Sequence, residues 1–176
     1  MNLANKLTIF RIVLVPFFIL LLLTDFIPYS KLIALIIFII ATITDHFDGK
    51  IARKYNMVTS FGKFMDPIAD KLLVSSAIIS LTSLGLVPAW VTITIISREF
   101  IISAVRLVAS DKGSVIAASS LGKIKTITQM AMIIIFLLDI PELYILSQIV
   151  MYAAVILTVV SLIDYLIKNK SVIKFE

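Results

Sequence analysis

The sequence predicts an all-α integral membrane protein, a bundle of six transmembrane helices forming a single domain over residues 1–176. Three observations lead there. The chain is 60% hydrophobic, with a mean hydropathy of +1.10, against about 45–50% apolar residues in soluble domains. The apolar residues fall in six long blocks, and about 20 mainly apolar residues suffice to cross a bilayer as a helix. The basic residues gather at alternate ends of those blocks.

The first block, 7–24, follows a basic flank in MNLANKLTIFRIVLVPFF. No small-residue cleavage site follows, so it reads as an uncleaved first helix rather than a signal peptide. Asp25 to Ser30 is a turn broken by Pro28. The second block is 31–53, and KYNMVTSF (54–61) links it to the third, 62–84. Gly85 to Pro88 makes a tight turn before the fourth block, 87–109. Residues 110–120, SDKGSVIAASS, form the longest loop. The fifth block is 121–139, and a turn with Pro141 leads to the sixth, 143–167.

Absence of cysteine excludes disulfides and thiolate metal sites. The net charge of +5 raises the question of nucleic acid, but its placement answers it. With a cytoplasmic N-terminus, six crossings return the C-terminus to the cytoplasm. Lys6, Arg11, Lys50, Arg53, Lys54, Lys63, Lys112, Lys123, Lys125, Lys168, Lys170 and Lys174 then share the inner side. The outer side keeps Lys31 beside Asp25, Asp139 and Glu142. This is the positive-inside bias of a multi-pass cell-membrane protein. The basic charge marks topology and attraction to anionic lipid, not a nucleic-acid partner.

Within this apolar chain, TDHFDGKIARKYNMVTSFGKFMDPIAD (44–70) carries four aspartates. Asp45 and Asp48, at i,i+3, share a face at the end of the second helix. Asp66 and Asp70, at i,i+4, share a face at the start of the third. A helical hairpin can bring the two faces together at the cytoplasmic mouth. Four carboxylates would repel one another unless compensated, and two divalent cations balance them. Hard oxygen donors select magnesium, calcium or manganese. Paired ions of this kind serve phosphoryl displacement by stabilising attacking and leaving oxygens. Gly49 and Gly62 permit close approach of backbone or ligand, and Arg53 offers a planar fork for phosphate. Aspartates that merely face water are the simpler explanation of one carboxylate, less so of four on two shared faces.

The stretch matches Asp-x2-Asp-Gly-x2-Ala-Arg-x8-Gly-x3-Asp-x3-Asp at Asp45, Asp48, Gly49, Ala52, Arg53, Gly62, Asp66 and Asp70. In this it resembles the CDP-alcohol phosphatidyltransferases. The resemblance implies transfer of a phosphatidyl group from a CDP-linked lipid to an alcohol, with release of CMP. It implies two Mg2+ (or Mn2+) ions per site, one held by Asp45, Asp48 and Asp66, the other by Asp45, Asp66 and Asp70. Asp70 would also be the catalytic base. Gly49, Arg53 and Thr59, with Asn5 and Thr8 of the first helix, would bind the CDP donor. A homodimer is implied as well.

Three further segments bear on the acceptor: NKLTIFR with Asn5, Thr8 and Arg11; SREF with Arg98 and Glu99, followed by Arg106; and GKIKTITQ from Gly122 to Gln129. An intramembrane Arg–Glu pair is a functional-site hypothesis, or else a structural lock facing the bundle interior. Arg98, Arg106, Lys123 and Lys125 form a candidate site for an acceptor phosphate, although interfacial lysines also snorkel. These segments resemble the phosphatidylglycerophosphate-forming branch of the family, which implies CDP-diacylglycerol as donor and glycerol 3-phosphate as acceptor. Another acceptor (serine, inositol phosphate or a second lipid) is the alternative inside the family. Outside it stand an intramembrane prenyltransferase, which the Asp45-to-Arg53 half does not suit, and an ion-coupled transporter. Against the transporter, the aspartates cluster at one mouth instead of lining a path, and inverted repeats are missing. His46 occupies a variable position of the signature and reads as packing or interface.

Overall fold

The computed structural model describes residues 3–24, 27–54, 60–111, 113, 116 and 119–170, and excludes the side chains of 3–4, 45–54, 60–64 and 66–67. Six helices run in order: α1 (Leu3–Leu23), α2 (Ser30–Lys54), α3 (Ser60–Ser83), α4 (Ala89–Asp111), α5 (Ser120–Leu138) and α6 (Tyr144–Lys168). A single 3₁₀ turn, Pro141–Leu143, leads into α6. No strand occurs among the described residues. The predicted all-α class is borne out, and each predicted block has become one helix.

Prolines and glycines place the breaks. Pro28, Pro88 and Pro141 lie outside the long helices, where a missing N–H costs nothing to the ladder. The carbonyl of Pro88 accepts from Val91 N (3.0 Å) and opens α4. Helix α3 ends in a left-handed cap: Gly85 has φ +73°, its N–H reaches Thr82 O, and Leu86 N reaches Leu81 O, both at 3.0 Å. This is the paired hydrogen-bond pattern of a Schellman motif, which favours glycine at the left-handed position. Asp139 closes α5 in the same left-handed region, with φ 51°.

The structure differs from the sequence reading at several ends. Helix α1 starts at Leu3, four residues before the predicted block, so Asn5 and Lys6 are helical as well. Helix α2 runs through Lys54 and α3 starts at Ser60, so the interval between them shrinks to 55–59, outside the described residues. Helix α4 continues to Asp111, which shortens the following loop. All six helices have 19 residues or more, and 19 residues rise about 28 Å, close to the hydrocarbon thickness of a bilayer. Three stretches combine that length with sufficient apolarity: Asn5–Leu23, Ser120–Leu138 and Pro141–Lys168. Helix α2 is apolar over Ser30–Thr44 and then enters the aspartate segment. Charged residues likewise interrupt α3 and α4.

The chain divides into two compact units, Met1–Leu86 and Val87–Glu176. In the first, α1 packs along both α2 and α3, while α2 and α3 touch over a shorter stretch. Phe18 of α1 meets Phe38 of α2 with ring centroids 6.0 Å apart. Ala34, Ala41, Ala69 and Ala77 are fully buried; small residues let membrane helices approach closely.

In the second unit α6 packs against α5 and α4. Its buried residues, Ser147, Met151, Ala154, Thr158, Ser161 and Tyr165, alternate in steps of four and three, the spacing of one helical seam. The opposite face exposes Ile145, Ile149, Tyr152, Ile156, Val160, Ile163 and Ile167. Such a continuous apolar face suits lipid, which has no water to repel it. The order of cross-helix contacts gives the directions. Arg98 meets Ser161 and Arg106 meets Tyr165, so α4 and α6 run parallel.

Gly85 tests the turn chemistry. A Cβ at this position would meet nothing within 4 Å, so Gly85→Ala isolates the backbone cost of left-handed φ, about 1–2 kcal/mol. Thermal unfolding in detergent should show Gly85→Ala destabilised by that amount and Gly85→Asn by less, because asparagine tolerates this conformation.

Candidate active site

The signature aspartates occupy two continuous helices of the first unit. Asp45 and Asp48 lie within α2, and Asp66 and Asp70 within α3. Helix continuity across both pairs is what the shared-face reading requires, since i,i+3 and i,i+4 neighbours align only on a regular helix. Asp70 is half-buried beside the fully buried Ala69. It lies one turn, about 6 Å, further along α3 than Asp66. The side chains of Asp45, Asp48, Gly49, Arg53, Gly62 and Asp66, and all of Thr59, fall outside the described residues. Among the described residues no group of three or more metal-ligating side chains gathers.

On α1, Asn5, Thr8 and Arg11 are all buried, Arg11 completely. Their spacing of three puts them on one face, and each makes a polar interaction there. Arg11, counted among the cytoplasmic-side charges in the sequence, is buried within the first unit. A guanidinium is removed from water only where partners compensate it.

The second unit contains the better-defined polar cluster. Arg98 and Glu99 are adjacent on α4, and Arg98 Nη1 donates to Glu99 Oε1 at 3.0 Å. Lys125 Nζ of α5 donates to the same carboxylate oxygen. Arg98 Nη2 donates to Ser161 Oγ of α6 at 3.2 Å. The Ser161 hydroxyl donates in turn to Thr158 O at 3.1 Å, which leaves its lone pairs facing Arg98. Three helices thus converge on one guanidinium. Arg98 Nε is buried and has no hydrogen-bond partner among the described residues. An unmet buried donor on a charged group is costly, above the 1–3 kcal/mol of a neutral one.

The N-terminus of α5 closes on the same point. Ser119 caps it, accepting from Gly122 N at 3.0 Å, as short hydroxyl side chains do at helix starts. A Cβ on Gly122 would stand 3.2 Å from Ser119 Oγ and 3.7 Å from Arg98 Nη2. The tighter of the two contacts is with the capping hydroxyl, while the distance to the guanidinium is an ordinary van der Waals contact that places the first turn of α5 beside Arg98.

Of the four predicted acceptor-site cations, the structure brings Arg98 and Lys125 together. Lys125 is 2% exposed, so it does not snorkel. Lys123, two positions away, projects from another side of α5 and is exposed. Arg106 is exposed and lies on Tyr165, with Nε 3.4 Å from the phenol oxygen and its guanidinium carbon 5.8 Å from the ring centre. Gln129, at the end of the GKIKTITQ segment, is buried, and its Nε2 lacks a partner among the described residues. Two residues at the cluster escaped the sequence reading: Ser161 and Tyr165. The available signal was polar side chains recurring every three or four residues through an apolar α6.

The model of the CDP-alcohol phosphatidyltransferase family matches residues 1–160. The chain belongs to this family. A Bacillus subtilis (strain 168) relative, a CDP-diacylglycerol–glycerol-3-phosphate 3-phosphatidyltransferase, is 46% identical, the match covering 98% of this chain and 97% of the relative. A Rickettsia bellii relative of the same name is 42% identical over 93% of each chain. One from Salmonella paratyphi A, also so named, is 39% identical over 94% of this chain and 93% of its own. The CDP-alcohol phosphatidyltransferase match contains the aspartate helices and the α4–α5 cluster and stops one residue short of Ser161.

The cluster predicts strong coupling between Glu99 and Lys125, which share a hydrogen bond with side chains 20% and 3% exposed. In a double-mutant cycle of Glu99→Gln and Lys125→Met, thermal unfolding should give an interaction energy of about 1–3 kcal/mol. Additive effects would mean that the contact contributes nothing to stability.

Proposed function

We propose that this chain transfers the phosphatidyl group of CDP-diacylglycerol to glycerol 3-phosphate, giving phosphatidylglycerophosphate and CMP. The observation that carries the acceptor assignment is the buried, cation-rich cluster around Arg98, whose Nε has no hydrogen-bond partner among the described residues. A phosphate-bearing acceptor suits it; a neutral alcohol would leave that donor unsatisfied. Family membership and the names of the relatives support the same reading.

In this reading the first unit handles the donor and the second recognises the acceptor. Asn5, Thr8, Gly49, Arg53 and Thr59 bind the CDP moiety. Asp45, Asp48, Asp66 and Asp70 hold two Mg2+ or Mn2+ ions; their hard carboxylate oxygens on two regular helices fit such ions. When bound, divalent ions neutralise a diphosphate and lower the cost of charge on its leaving group. Arg98 and Lys125, with Arg106 and Lys123 nearer solvent, attract and hold the acceptor phosphate.

Asp70 takes the proton of the acceptor hydroxyl as its oxygen bonds to the phosphorus bearing diacylglycerol. The bond from that phosphorus to the bridging oxygen breaks, and CMP leaves with the bridging oxygen. Arg53 meets the charge that develops on it. Membrane placement follows the same reading: six crossings, both termini and the active site on the cytoplasmic side, and a homodimer in the cell membrane.

Purified protein with CDP-diacylglycerol, glycerol 3-phosphate and Mg2+ should release CMP. EDTA should abolish the release and added Mg2+ restore it. Release with serine or inositol phosphate but not with glycerol 3-phosphate would overturn the acceptor assignment. Asp70→Asn should lower kcat by about 10²–10⁴-fold, the usual contribution of a general base, while donor binding survives. Turnover at the wild-type rate would remove Asp70 from that role.

A further inference from the structure

We propose that Ser161 of α6 and Glu99 of α4 are positioning residues for Arg98, fixing its guanidinium so that Nε faces the acceptor phosphate. The inference rests on the acceptor reading above and deepens it. It assigns work to Ser161, which lies beyond the matched range of the family.

The argument starts from the five N–H donors of a guanidinium, which lie in one plane and point in fixed directions. Nη1 is tied to Glu99 Oε1 at 3.0 Å and Nη2 to Ser161 Oγ at 3.2 Å. Two anchors from different helices remove rotation about the end of the side chain. Nε is then the nitrogen left without a partner among the described residues. A phosphate oxygen can take Nε–H together with the remaining hydrogen of a terminal nitrogen, the forked geometry in which arginine binds oxyanions.

Ser161 suits the task because its own hydrogen is committed. It is fully buried and donates to Thr158 O, so towards Arg98 it can only accept. Glu99 suits it because its Oε1 also receives Lys125. The lysine keeps the carboxylate from drawing the guanidinium further towards itself and adds positive charge beside it. The first turn of α5, which lies beside Arg98 at Gly122, adds the positive end of a helix dipole on the same side.

Neither residue needs to touch substrate, so each should act on acceptor affinity and not on chemistry. The measurement is steady-state CMP release with acceptor and donor varied separately, on full-length protein in detergent. Ser161→Ala should raise KM for glycerol 3-phosphate about ten-fold, the loss expected for one hydrogen bond to a charged group. Its kcat and its KM for CDP-diacylglycerol should stay within two-fold of wild type. Glu99→Gln, which keeps an oxygen for Arg98 but loses the charge, should show the same split. An acceptor KM within two-fold of wild type in Ser161→Ala would overturn the proposal. So would equal rises in acceptor and donor KM, which mark a general structural defect. The wild-type arm separates the two levels: if wild type does not use glycerol 3-phosphate, the functional reading fails; if it does and Ser161→Ala matches it, only the positioning role fails.

Discussion

The Glu99 carboxylate, shared by Arg98 and Lys125, is the interaction on which the second half of the molecule depends. Helices α4 and α5 each bring a buried cation into otherwise apolar surroundings. The anion between them offsets part of the hydration that each loses on burial. A buried pair of this kind seldom beats a well-packed apolar core in stability. Its presence, with Ser161 added from a third helix, points to a site that needs a fixed guanidinium. In the proposed acceptor site, Arg98 Nε, without a hydrogen-bond partner among the described residues, is the donor left for the phosphate.

The first half solves a related problem with the opposite sign. Four carboxylates on α2 and α3 need positive compensation, and regular helix through both pairs places them on two defined faces. Helix α1 packs on both α2 and α3 and carries the buried Asn5, Thr8 and Arg11 along one face. Apolar packing, as at Phe18 and Phe38, holds the helices; the polar faces are where the proposed donor site lies. Family membership joins the two halves in one reaction class: a diphosphate donor that needs cations and an acceptor that brings its own anion.

Much of this was legible in the chain itself. Long apolar blocks separated by Pro28, Gly85–Pro88 and Pro141 became six helices because these residues fall in short gaps between the blocks, whereas Pro16 and Pro67, inside α1 and α3, end neither helix. Helix ends were less legible. Asn5 and Lys54 are polar, and polar residues can sit in a terminal turn as easily as outside it. The aspartate signature was readable because its spacing coincides with the helical period. The acceptor cluster was readable only in part. Lys123 and Lys125 look alike in sequence, yet two residues on a helix turn one to the exterior and the other onto Glu99. Ser161 was invisible for another reason: a serine in an apolar helix ordinarily bonds its own backbone, and only the fold brings it to Arg98, 63 positions away.

The claim that Arg98 receives the acceptor phosphate is tested most directly by calorimetric titration. Glycerol 3-phosphate would be titrated into detergent-solubilised protein with Mg2+ and CDP present, for wild type and Arg98→Gln. The account predicts saturable binding in wild type, lost or weakened at least ten-fold in Arg98→Gln, with CDP affinity unchanged. Equal affinity of the two proteins for glycerol 3-phosphate would contradict it.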